Sequence, residues 1–255
     1  MDLPKNAFKA AILAGRQQTG LWCMLPGSLV TEALAGCGYD WLLLDTEHSP
    51  ADPLTVLPQL QAAAAYDGSV VVRPAANDPV LIKRFLDVGA QSLLIPYVQS
   101  VEEAEAAVAA VRYPPRGIRG VAGTTRASRY GRVAGYAQKA EAEICLLVQV
   151  ETRQSLDAIE GIAAVEGVDG IFIGPGDLSA SLGHAGDLFH SDVVAAVEGA
   201  ISRVAAAGKP AGVLTYDVAF AKRCMELGSR FTAVGADLSL LLRSADRLLA
   251  EFKEA

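Results

Sequence analysis

The chain has 255 residues, a formal net charge of −7, 51% hydrophobic residues and 20% charged ones. This composition excludes a disordered polymer, and the acidic balance argues against nucleic acid as the main partner. No apolar run reaches the ~18 residues of a membrane span. The first fourteen residues lack the cleavage pattern of a secretory leader. Neither a membrane partner nor export is therefore expected.

In chain order, Lys5–Leu13 reads as an extra amino-terminal helix. Eight apolar, β-rich runs follow: Gly20–Leu25, Trp41–Leu44, Val70–Arg73, Ser92–Ile95, Ile144–Glu151, Ile171–Ile173, Ala211–Leu214 and Phe231–Val234. Between and after them lie helical patterns at Leu29–Cys37, Pro53–Ala65, Pro79–Asp87, Val101–Val111, Arg153–Glu160, Ser191–Ala207, Val218–Leu227 and Leu238–Phe252. A phrase recurs in which a helix gives way to Gly and a strand, at Gly38, Gly89, Gly167 and Gly228. Glycine suits the positive φ wanted just past a helix end. Strict alternation without tandem strands predicts a parallel sheet with crossovers, and eight units in one chain predict a closed (β/α)8 TIM barrel forming a single domain over residues 1–255. An open doubly wound sheet is the alternative, but no Gly-x-Gly-x-x-Gly follows the first strand.

Two segments break the rhythm: Arg112–Ala137, rich in Gly and Arg, and Leu178–Ser191. Both are expected as loops on the carboxyl-terminal face of the barrel, where active sites form. The arginines at 112, 116, 119, 126, 129 and 132 read first as a salt-bridged or subunit surface, with recognition of a second anionic group as the alternative. The spacings of Cys23, Cys37, Cys145 and Cys224 match no zinc pattern. They read as buried free thiols, which suits a reducing cytoplasm.

The polar residues at strand ends carry the chemistry. They are Asp45, Glu47 and His48 after the second strand, Arg73 after the third, Gln149 and Glu151 at the fifth, and Gly174-Pro175-Gly176-Asp177 after the sixth. Glu151 and Asp177 offer oxygen-only ligation suited to Mg2+ or Mn2+, with helix capping as the plainer reading of Asp177. Arg73 closes an apolar strand, as expected of a charge that meets an anion or a structural carboxylate. Asp45 and His48, three residues apart, can approach in a tight turn, the carboxylate then orienting the ring. Free N–H groups of the 174–177 turn can hold a carboxylate or phosphate. His184 and His190 read as loop residues. No lysine stands at a strand's carboxyl end, so a Schiff-base route is disfavoured.

With these residues the chain resembles the HpcH/HpaI aldolases, the metal-dependent, pyruvate-specific class II enzymes. The likeness covers nearly the whole sequence. It is carried by Phe8-Lys9-Ala10-Ala11, Asp40-Trp41-Leu42-Leu43-Leu44-Asp45-Thr46-Glu47-His48, Val72-Arg73-Pro74 and Leu86-Asp87-Val88-Gly89. It continues through Arg112-Tyr113-Pro114-Pro115-Arg116-Gly117-Ile118-Arg119-Gly120, Val148-Gln149-Val150-Glu151-Thr152 and 167–179. The resemblance implies Glu151 and Asp177 as ligands of Mg2+ or Mn2+, with Co2+ a further candidate. Arg73 would contact the pyruvate keto oxygen, and Gln149 would line the same site. Asp45 and His48 would form the acid/base dyad, and Asp87 would reach that dyad from a neighbouring subunit. Gly174, Pro175, Gly176 and Asp177 would frame the pyruvate carboxylate, and Leu214 would face the aldehyde. It further implies a homo-oligomer, a hexamer built as a trimer of dimers with an exchanged carboxyl-terminal helix. Two features depart from the pattern: Thr46 in place of Gly, and a shortened loop at Gly123–Arg126. The implied reaction is reversible cleavage of a 4-hydroxy-2-oxo acid to pyruvate and a small aldehyde. A sugar-acid aldolase with the same core, a citramalyl- or malyl-CoA-type lyase and an inactive keto-acid-binding barrel are the alternatives.

Overall fold

A computed structural model describes residues 1–253. The elements run α1 (Ala7–Leu13), β1 (Gln18–Cys23), α2 (Ser28–Ala35), β2 (Trp41–Asp45), α3 (Pro53–Ala63), β3 (Ser69–Arg73), α4 (Pro79–Asp87), β4 (Ser92–Ile95) and α5 (Val101–Val111). They continue with α6 (Tyr136–Lys139), β5 (Cys145–Val150), α7 (Arg153–Asp157), α8 (Ile159–Ala164), β6 (Gly170–Ile173), α9 (Pro175–Ser181), α10 (Ser191–Ala206), β7 (Ala211–Leu214), α11 (Val218–Glu226), β8 (Ser229–Ala236) and α12 (Asp237–Lys253). The eight strands are parallel, pair in sequence order and close β8 onto β1. This is the expected (β/α)8 barrel.

Local chemistry sets the boundaries. Asp52 and Asp78 accept hydrogen bonds from the first turns of α3 and α4, and a proline follows each at the first helical position. The four glycines of the recurring phrase, Gly38, Gly89, Gly167 and Gly228, all have φ between 87° and 116°, a region costly for other residues. The single helix expected at Arg153–Glu160 is instead two short ones that break at Ala158.

Side chains of a strand alternate between faces, and here the alternation makes two cores. Leu42, Leu44, Val72, Leu93, Ile95, Val148 and Ile171 point outward against the helices. Trp22, Trp41, Leu43, Val71, Leu94, Leu147, Phe172 and Phe231 fill the barrel, with Phe8 and Ile12 of α1 packed beneath them. Phe8 lies 5.6 Å from Trp41 and 5.9 Å from Phe231, edge-on to the latter. The amino-terminal helix thus plugs the floor.

Arg112–Ala137 lies on the opposite face from the one expected. The segment begins where α5 ends, and a helix that follows a strand returns the chain to the amino-terminal face. There the Met1 amino group donates to the Arg132 carbonyl, and Arg126 Nη1 donates to Val88 O at 2.9 Å. Arg112 and Arg116 pair with Glu141 and Glu166, and Arg119 pairs with Asp87, which bears out the salt-bridge reading for those three. The 178–191 segment, by contrast, does lie on the carboxyl-terminal face that β6 leads to, but it opens inside α9, so only residues 182–190 form the expected loop.

The tight filling of the barrel is testable. A Cβ on Gly20 would collide with the indole of Trp41, a ring with 0% exposure and no room to retreat. Gly20→Ala should cost about 1–3 kcal/mol of stability by overpacking, read from urea or thermal unfolding. Wild-type stability in that variant would show the ring to be mobile.

Candidate active site

The inward alternation that fills the barrel also selects the residues at its mouth. On β2, Trp41, Leu43 and Asp45 face inward, and on β3, Val71 and Arg73 do. The register sets Asp45 directly opposite Arg73. The guanidinium grips that carboxylate with two hydrogen bonds, Nε to Oδ1 at 3.0 Å and Nη2 to Oδ2 at 2.6 Å. Arg73 Nη1 lies 2.7 Å from Glu47 Oε2. Trp22 Nε1 donates to Asp45 Oδ2 at 3.1 Å, and the same indole lies under the guanidinium, 4.9 Å from its ring centroid to Cζ. Thr46 donates its hydroxyl to Arg73 O at 2.6 Å and so ties the ends of the two strands together.

Across the mouth, Glu151 is 2% exposed. Its Oε1 accepts the Tyr97 N–H at 2.8 Å and its Oε2 accepts Gln149 Nε2 at 2.5 Å. A Cβ on Gly174 would strike Glu151 Oε2 and lie 2.6 Å from Gln149 Nε2, so glycine alone leaves the two side chains their space. Asp177 stands exposed in the first turn of α9, without a side-chain capping bond. The helix-cap reading of this residue is thereby removed. Leu214 ends β7 packed against the interior cluster.

Charges at the mouth are unbalanced. Burial pushes the Glu151 carboxyl up to about 7; the charges of Asp177 and Glu47 add to this, against the Tyr97 N–H and Arg73. Burial raises Glu47 as well, aided by Asp45 and Asp177 and opposed by Arg73 and His48. Asp45 is different. Burial would raise it too, but the Arg73 hydrogen bonds and charge outweigh that and hold it below the usual carboxylate range.

The structure brings together Asp45, Arg73, Gln149, Glu151, Gly174 and Leu214, with Asp177 at the rim. It does not bring the Asp45 carboxylate to the His48 imidazole. Asp45 Oδ1 receives the His48 backbone N–H at 3.4 Å, while the ring stands out in solvent with its Nε2 3.8 Å from Glu47 Oε2. The physical reason is competition: Arg73, Trp22 and the 47–48 turn occupy the carboxylate. Asp87 ends α4 on the amino-terminal face, where Arg119 Nη2 donates to it at 3.0 Å. Within this chain it is remote from the mouth. All four cysteines are free, but Cys37 is exposed rather than buried. Two features of the mouth are absent from the sequence reading, the residue Trp22 and the pairing of Glu47 with Arg73. The signal for both was available, since Trp22 shares the inward parity of β1 and Glu47 lies two residues beyond Asp45.

The donor set fits a hard divalent cation. Asp45 and Glu47 engage the one guanidinium, and two further carboxylates, Glu151 and Asp177, lie near enough to Glu47 for their charges to act on one another. Gln149 Oε1 is buried without a hydrogen-bond partner, an acceptor placed for a donor in the mouth. Glu151 and Asp177 would hold the ion with oxygen ligands only.

The raised Glu151 carboxyl has a measurable consequence. The folded protein holds this proton more tightly than the unfolded chain does. Its contribution is therefore fully present below the ordinary glutamate pKa and is lost as pH rises through about 7. Metal-free protein should lose up to about 3 kcal/mol between roughly pH 5 and pH 8 from this group. Glu151→Gln should flatten that slope in melting curves recorded in EDTA, and an unchanged slope would assign the effect to another residue.

Comparison with known proteins agrees with this geometry. The family model described as HpcH/HpaI aldolase/citrate lyase matches residues 18–244. A protein of Rhizobium etli named pyruvate aldolase is 63% identical over 252 residues, which span 99% of each chain. A Salmonella dublin protein named 4-hydroxy-2-oxo-heptane-1,7-dioate aldolase is 55% identical over 249 residues, 97% of this chain and 95% of the relative. The crystal structure of an HpcH/HpaI aldolase/citrate lyase family protein from Burkholderia cenocepacia J2315 superposes with a TM-score of 0.94 at 41% identity, covering 98% of this chain and 100% of that one. The chain belongs to the HpcH/HpaI aldolase/citrate lyase family.

Proposed function

We propose that the protein is a class II aldolase that reversibly cleaves 4-hydroxy-2-oxo acids between C3 and C4, giving pyruvate and an aldehyde. The observation that carries this reading is the surplus of buried carboxylate at the barrel mouth beside one immobilised guanidinium. Such a site neutralises negative charge arising on a keto acid only when a cation joins it. Mg2+ or Mn2+, held by Glu151 and Asp177, supplies Lewis-acid stabilisation of charge on the 2-keto oxygen when bound.

Each protein group then has a defined task. Arg73, fixed by Asp45 and Glu47, directs positive charge at the oxygen that gains electrons as the C3–C4 bond breaks. Because both carboxylates hold it before substrate arrives, little reorganisation accompanies the reaction. His48, the imidazole at the mouth, accepts the C4 hydroxyl proton directly or through one water. The electron pair of the C3–C4 bond passes into the C2–C3 bond and onto the 2-keto oxygen, the C4 oxygen closes to the aldehyde carbonyl, and C3 then takes back the proton held at His48, directly or through the same water, to become the pyruvate methyl. Asp45 positions both the guanidinium and, through the His48 N–H, the turn that presents the ring. The Gly174–Asp177 backbone and Gln149 orient the pyruvate end, and Leu214 borders the aldehyde end. If the substrate is 4-hydroxy-2-oxo-heptane-1,7-dioate, the named substrate of the Salmonella relative, the aldehyde is succinic semialdehyde.

The assembly is proposed to be a homo-oligomer, a hexamer in the expected arrangement. What supports it is α12, where Asp237 alone is buried while Leu241, Leu242, Leu248, Leu249 and Phe252 face solvent over half or more of their surface. Asp87 would act only across such an interface. Among the described residues no helix is long and apolar enough to cross a membrane, and the free thiols support a reducing, cytoplasmic setting.

A coupled pyruvate-release assay tests the core of the proposal. EDTA should abolish turnover, and Mg2+ or Mn2+ should restore it in the wild type but not in Glu151→Ala or Asp177→Ala. Arg73→Lys keeps the charge but loses the fork, and should slow exchange of pyruvate methyl protons with D2O by about 10²–10³-fold. His48→Ala should lower kcat for cleavage by about 10²–10⁴-fold. Normal exchange in the Arg73 variant, or full turnover in EDTA, would remove the mechanism. Light scattering of the untagged chain should return a multiple of 26.6 kDa, and a monomer would exclude the interface role of α12.

A further inference from the structure

A second constellation of metal-ligating side chains lies outside the mouth. Among the described residues, His184, His190 and Asp192 are the one group of three His, Cys, Asp or Glu whose donor atoms all lie within 4.8 Å of one another. His184 and His190 lie in the loop between α9 and α10, and Asp192 lies in the first turn of α10. His184 Nε2 is 3.3 Å from Asp192 Oδ2, and His190 Nδ1 is 3.8 Å from the same oxygen. The imidazoles are stacked, with centroids 3.5 Å apart and planes 15° from parallel. The loop is anchored where it leaves α9, since the His184 N–H donates to Ser179 O at 2.8 Å.

We propose that these three side chains form a transition-metal site distinct from the oxygen site at the mouth. The chemistry differs in kind. Two imidazoles and one carboxylate suit Zn2+, Ni2+, Cu2+ or Co2+, whereas the mouth offers oxygen ligands suited to Mg2+ or Mn2+. The spacing also agrees. Ligand bonds of about 2.1 Å at a tetrahedral ion set neighbouring donors about 3.4 Å apart, and the two separations from Asp192 bracket that value. Both histidines are half-buried, while the Asp192 carboxylate is 68% exposed, which leaves an open side for entry and for water ligands. The resting arrangement has its own bonds. His190 Nδ1 accepts the Asp192 N–H at 3.2 Å and caps α10. An ion taken up through that nitrogen replaces the cap and the face-to-face stack with ligand bonds.

Zn2+ titration by calorimetry and the visible absorption of the Co2+-loaded protein, on chain free of any histidine tag, test the site. Two substitutions separate ligation from folding. His184→Ala lies in the loop, and His190→Asn keeps a side chain able to cap α10 while removing the imidazole. Each should lose one bound Zn2+ equivalent and the Co2+ bands of nitrogen ligation, with Mn2+-supported turnover unchanged. Glu151→Gln should retain that equivalent and those bands. Wild-type Zn2+ stoichiometry and Co2+ spectra in both histidine variants would overturn the proposal, as would loss of the bands in Glu151→Gln. The first outcome leaves a stacked histidine pair that only orders the loop. Neither outcome bears on the aldolase reading, which rests on Arg73 and Glu151.

Discussion

The Arg73–Asp45 clasp is the contact on which the mouth of the barrel depends. It joins neighbouring strands at matched register, buries a guanidinium that is 5% exposed, and presents its remaining edge to Glu47. With this one cation committed, its pull and the Tyr97 N–H only partly offset the burial of Glu151, which drives that carboxyl toward neutrality. A buried ion pair adds little net stability because desolvation offsets much of its attraction. An unpaired buried acid is a direct cost. Sites that work against folding in this way are where function is expected to lie. In this barrel the cost falls at the strand ends that meet at the mouth.

The division between floor and mouth follows from one alternation running through all the strands. Lower inward positions carry Trp41, Leu43, Val71, Leu147 and Phe231, and upper ones carry Asp45, Arg73, Gln149 and Glu151. The apolar layers fix where each strand ends. They therefore set the separation of the polar groups above them more firmly than any loop could. Glycine contributes by absence, since Gly20 makes room for an indole and Gly174 for two polar side chains.

Most of the fold was readable because its signals are local. Apolar runs, Asp-Pro helix starts and glycines just past helix ends each lie within a few residues of what they determine. The strand ends are readable for the same reason: Arg73 and Glu151 stand buried at the mouth, with Asp177 exposed at its rim in the first turn of α9. The failures were long-range. Asp45 and His48 are close in sequence, yet the carboxylate is claimed by Arg73, 28 residues away, a partner revealed only by strand register. The arginine-rich segment sits on the amino-terminal face because α5 has already returned the chain there, a dependence that its own composition does not carry. Cys37 sits just past α2 with an apolar neighbourhood in sequence and solvent in space.

The plug formed by α1 also gives the molecule a practical polarity. With Phe8 and Ile12 packed under the barrel and the Met1 amino group held near Arg132, the amino end emerges on the face away from the strand ends. A surface or carrier attached there would leave the reactive opening facing outward. Trimming back past Phe8 would instead uncover the aromatic floor and turn a sealed base into an adhesive one.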